Sequence, residues 1–134
     1  MEEIISKDGK TLLHKIFRKE DFRKGRIDIS PEQEYLQLSS LKMEEGKTFR
    51  PHRHIVYEKI TNIAQESWVV IQGKVEAILY DLDDSIARTV ILEPGDVSIT
   101  FRGGHNYKIL EKDSLVYEYK TGPYLGQKFD KVFI

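Results

Sequence analysis

The chain holds four histidines and no cysteine, and two of the four, His52 and His54, sit two residues apart in RPHRHI, flanking Arg53. Along a β-strand, side chains alternate between faces, so these two imidazoles project side by side while Arg53 points the other way. Two neutral imidazoles so placed can converge on one cation, each nitrogen about 2.0–2.2 Å from it. A stable site needs further donors, and they must come from other strands. A third histidine, His105, follows the Gly103-Gly104 corner in GGHN, where paired glycines allow a tight turn of the backbone. His14, alone in TLLHKIF, reads as a satisfied core or surface residue. Without thiols, disulfides, thiolate-ligated metals and a cysteine nucleophile are excluded.

The elements that must position these residues are strands. After Pro31, EYLQLSSLKM alternates imperfectly, EEGK is a turn, and KTFRPHRHI is expected as the next strand, with Pro51 marking an edge or a bulge. ESWVVI and KVEAILY flank the Gln72-Gly73 corner, and DLDD makes a hairpin tip. ARTVIL and DVSITF flank Pro94-Gly95-Asp96. HNYKIL and SLVYEYK follow, TGPYLG interrupts, and KFDKVFI closes the chain. Short strands at this spacing, with Gly and Pro between them and almost no helical period, predict an all-β sandwich or barrel. Residues 1–33 are expected as an N-terminal extension and residues 34–134 as the barrel with its C-terminal tail.

The totals exclude several classes. With 134 residues and a net charge of −1, the chain is expected to be one domain with no field that recruits nucleic acid or an anionic membrane. No apolar run is long enough for a membrane span, and MEEIISKDGK has no signal-peptide core. A cytoplasmic location is therefore expected. Phosphate loops and the GxSxG, HExxH and DFG patterns are absent.

The spacing of the histidines extends into a longer pattern. Gly46 lies six residues before His52, Glu66 lies seven before Gly73, and GDVSITFRGGH runs from Gly95 to His105. Read as G-KTFRP-H-R-H, a spacer of eleven residues, E-SWVVIQ-G and then GDVSITFRGGH, the chain resembles the cupin superfamily over residues 34 to 120. It departs from the family pattern in the long spacer, in Phe101 where proline is usual, and in the early arrival of His105. AQESW, VIQGKVE, YDLDD, GGHNYKILE and TGPYLGQKFDK are similar to small single-domain cupins associated with surface-polysaccharide and nucleotide-sugar metabolism.

The resemblance implies a jelly-roll β-barrel in which His52, His54, Glu66 and His105 bind one divalent metal (Fe, Mn, Ni, Co or Zn). Ligand type alone does not choose among these ions. Glu58 is the alternative carboxylate. Glu66 is preferred because its distance to Gly73 is fixed within a strand, whereas a loop tolerates insertion.

Parity then nominates neighbours. Arg50 shares the face of His52 and could hold a carboxylate or phosphate, or stand exposed at a strand end. Trp68 shares the parity of Glu66 and could wall a ligand or simply pack. Tyr107 goes with His105, and Tyr117 with Tyr119, each able to offer a phenol or to serve as core.

The resemblance further implies a small-molecule ligand, homodimerisation through the N-terminal residues or the tail, and action on a carbohydrate-like molecule. Isomerase or epimerase chemistry is favoured over dioxygenase chemistry. The alternatives are a non-catalytic binding or sensing module, and an interaction protein whose histidines ligate nothing.

Overall fold

In the computed structural model, which describes residues 1–134, the alternating segments form ten strands. They are β1 Glu2–Ile5, β2 Leu12–Phe17, β3 Gly25–Asp28, β4 Ser39–Lys42, β5 Glu66–Gln72, β6 Val75–Tyr80, β7 Ile86–Leu92, β8 Val97–Thr100, β9 His105–Ile109 and β10 Leu115–Lys120. The protein is all-β apart from a 3-10 turn at Lys19–Asp21 and the short helix α1, Gln127–Asp130. A five-stranded sheet in the order β1-β2-β8-β5-β10 faces a three-stranded sheet in the order β7-β6-β9. The β3–β4 ribbon forms a third, two-stranded layer. Every ladder between named strands is antiparallel.

The alternation seen in the sequence explains the layering. Val75, Ala77 and Leu79 of β6 are fully buried and pack with Leu13, Ile16 and Val70 between the two large sheets. Behind the five-stranded sheet lies a second core of Phe17, Ile29, Val97, Ile99 and Phe101, covered by Ile27, Leu36 and Leu38. β8 is therefore buried along its whole length. Val97 and Ile99 serve the second core, while Ser98 and Thr100 bond into the space between the sheets.

The Gln72-Gly73 corner, read from sequence as a hairpin-like turn, instead carries the chain from one sheet to the other, because β5 and β6 do not pair. The links β7 to β8 and β9 to β10 cross in the same way. Gly73 adopts φ +80°, and a Cβ there would stand 2.1 Å from Ser114 Oγ. β6 and β7 do form a hairpin across Asp81–Ser85, with Asp84 at φ 63°.

Three expectations differ from what is found. Residues 1–33 are not an appendage, since β2 pairs with β8 inside the main sheet. KTFRPHRHI forms no strand, and no closed barrel results. The physical reason is that Thr48–Thr61 find no pairing partner in the chain, so the sandwich stays open along β9 and β10.

Candidate functional site

Glu66 opens β5 and His105 opens β9, so each stands at the end of a strand in a different sheet. Across the gap His105 Nε2 lies 3.1 Å from Glu66 Oε1. Burial pushes the Glu66 carboxyl upward, but the hydrogen bond and charge of His105, the charge of Lys131 and the Trp68 N–H outweigh it. Its pKa is held below the usual carboxylate range. An ionised carboxylate only accepts, so Nε2 is the nitrogen that donates. That leaves His105 Nδ1 as an acceptor when the ring is neutral, and this atom is buried without a partner. Buried polar atoms are nearly always bonded, so this acceptor is an exception among the polar groups around it.

Trp68 and Tyr107 wall this pair. Their rings stack with centroids 4.0 Å apart. Trp68 Nε1 points between Glu66 Oε1 at 3.1 Å and Glu118 Oε2 at 3.2 Å. Tyr107 OH meets Ser98 Oγ at 2.8 Å, and burial pushes its phenol pKa well up, so it stays neutral. His14 is fully buried beneath, with Nδ1 3.0 Å from Thr100 Oγ1 and Nε2 3.0 Å from the Tyr80 carbonyl. The carbonyl fixes Nε2 as its donor, and both nitrogens are satisfied, as expected of a structural histidine. Burial lowers its pKa from 6.5 to about 4.

The tail closes one side. Lys120 lies 3.4 Å from Asp130 Oδ2 and stacks over Tyr124 at 4.0 Å. Gly104 leaves the room that Ile134 Cδ1 uses, since a Cβ there would meet it at 2.8 Å. Gly103, at φ +76°, has no space for a side chain, because a Cβ would stand 2.2 Å from the Tyr80 carbonyl oxygen.

Half of the expected ligand set is brought together. Glu66 and His105 meet, while His52 and His54 lie exposed on the unpaired segment, their rings 5.7 Å apart. No group of three or more His, Asp or Glu side chains is close enough to hold a metal. The pair alone therefore does not fit a divalent ion. Arg50 and Glu58 are exposed on the same segment.

Trp68 and Tyr107 line the site. Tyr117 does not, being 60% exposed on the outer face of β10. Val116 packs on the core and so turns Glu118 and Lys120 inward instead. Glu118 and Lys120 were not singled out in the sequence because the tyrosine alternation in SLVYEYK favours the opposite parity, and Lys131 lies in the tail, where no alternation marks it. The inward pattern Val116, Glu118, Lys120 was equally readable in SLVYEYK.

No helix is long and apolar enough to cross a membrane. Comparison with protein-family models, curated proteins and solved structures gives no match for this chain.

Proposed function

We propose that this chain is a cupin-type jelly roll that acts on a small polar, carbohydrate-like molecule through the Glu66–His105 pair. The observation that carries the reading is the buried, partnerless Nδ1 of His105, whose other nitrogen is committed to a carboxylate. A base oriented in this way removes a proton from a carbon beside a carbonyl, and the ionised carboxylate stabilises the imidazolium that forms. Trp68 and Tyr107 offer an apolar wall to a sugar ring, and Glu118 and Lys120 offer hydrogen bonds at its edge. The strand links that cross between the sheets support the jelly-roll reading.

Thermal unfolding in the presence of keto-sugars, nucleotide-sugars and small organic acids tests the reading. The expected result is that at least one compound raises the melting temperature of the wild type and not of His105→Gln. A panel with no effect on the wild type counts against it.

A second reading is favoured by the unpaired edge of β9 beside His105. If His52 and His54 reach the pair, four donors of a divalent-ion site are present, and the ion when bound would polarise a substrate oxygen. Equilibrium dialysis against Mn or Zn, comparing wild type with His52→Ala/His54→Ala, tests it.

A further inference from the structure

The two large sheets end in unpaired edges on the same side of the sandwich, β9 in one and β10 in the other. Trp68 reaching both Tyr107 and Glu118 shows that these edges adjoin. Unpaired edges invite another strand, and native proteins normally cover them. The same chain carries a segment that lacks what these edges offer. Apart from His52 Nδ1 meeting its own neighbour's carbonyl at Arg50, Thr48–Thr61 make no hydrogen bond. Ile55 and Val56 are 86% and 105% exposed, with Phe49, Tyr57 and Ile60 also in solvent. Apolar exposure on this scale marks a surface meant to be covered.

Backbone parity shows how the two fit. Tyr80 N donates to Gly104 O, and Leu110 N donates to Lys74 O. Backbone groups in an antiparallel ladder alternate in direction. Gly104, Asn106, Lys108 and Leu110 therefore turn theirs toward β6, and His105, Tyr107 and Ile109 turn theirs toward the open edge. A strand added there in the antiparallel sense can present either His52 and His54 or Pro51 and Arg53. Pro51 has no N–H to give, so presenting it would forfeit a ladder bond. Presenting His52 and His54 loses none, and it sets their side chains on the face of His105 and Tyr107, because residues directly opposite share a face.

The segment follows the β3–β4 ribbon, which ends at the Gly25–Lys42 pairing, after a turn closed by Lys47 N donating to Glu44 O, with Lys24 Nζ 2.5 Å from Glu44 Oε1. Within one chain it stands off the edge, although that edge is free. We propose that it docks on the β9 edge of a second copy, the two copies exchanging arms reciprocally about a two-fold axis. Each site then consists of Glu66 and His105 from one copy and His52 and His54 from the other. The proposal rests on the reading of Glu66–His105 as the functional site.

The absence of cysteine makes the test direct. The register that sets His54 against His105 sets Arg50 against Ile109, each four residues along in opposite directions. Both residues are exposed, so Arg50→Cys and Ile109→Cys should fold normally. Co-expressed with different tags and treated with a short bismaleimide, they are expected to give one covalent species carrying both tags. Neither variant alone should give it. Sedimentation of the wild type should show twice the chain mass. Monomer mass, a dimer that fails to link, or an Arg50→Cys/Ile109→Cys double variant that links within one chain would each overturn the proposal. Repeating the link with Glu66→Gln in both chains separates this result from the chemistry of the site. A link that persists while ligand stabilisation is lost leaves arm exchange standing without depending on function.

Discussion

His105 and Glu66 meet at 3.1 Å as the first residues of two strands that belong to opposite sheets. The contact is the polar seam of the sandwich, since Ser98–Tyr107 and Trp68–Glu66 lie beside it. Glu66→Gln keeps the shape and removes the charge. It is expected to destabilise the fold by about 1–3 kcal/mol, the range for a buried charge-assisted bond. Urea unfolding checks this, and an unchanged midpoint would show that the pair has no structural weight.

His14 gives the molecule an acid sensitivity whose sign is fixed by burial. Its pKa falls from 6.5 to about 4 on folding, so between those values the unfolded chain binds a proton there and the folded one does not. The contribution is fully present above pH 6.5 and is lost as pH falls toward 4. At about 1.4 kcal/mol per pH unit the loss amounts to roughly 3 kcal/mol. Urea midpoints at pH 7 and pH 4.5 should fall further for the wild type than for His14→Gln. Equal shifts would contradict the assignment.

Gly103 holds His105 in place through a backbone conformation that other residues resist. Gly103→Ala adds the cost of φ +76° to a clash with the Tyr80 carbonyl. The sum is expected to reach about 2–4 kcal/mol. Gly9→Ala, at φ +72° but with open space around it, should cost only the first part, about 1–2 kcal/mol. Comparing the two by thermal unfolding isolates the clash.

Trp68 is the single tryptophan of the chain and stacks on Tyr107 beside the pair. A ligand that enters the site is expected to change its fluorescence. Glu118→Ala, which removes one of its two acceptors, should shift the emission without abolishing binding. Ligand stabilisation with no change in Trp68 emission would place the ligand elsewhere.

The all-β class and most strands were legible because Val75, Ala77 and Leu79 alternate cleanly and turn residues stand between the runs. Glu66 and His105 were expected together through the resemblance to cupins, which set His52 and His54 beside them as well; the spacing back from Gly73 served only to prefer Glu66 over Glu58. What was not legible depended on partners rather than patterns. TLLHKIF carries too few residues to show that it pairs with β8. Parity in SLVYEYK allowed two faces, and only the packing of Val116 chose between them. RPHRHI alternates as a strand should, yet a strand needs an edge, and this chain does not bring its own segment to the one it leaves open.

Hydrogen–deuterium exchange into keto-sugars, followed by proton NMR, tests the central claim most directly. With wild-type protein in deuterated buffer, exchange is expected at the carbon beside the carbonyl of at least one sugar. His105→Gln should reduce the rate by about 100-fold or more, as loss of a general base does. Undiminished exchange by His105→Gln, or no exchange by the wild type across the panel, would contradict the account.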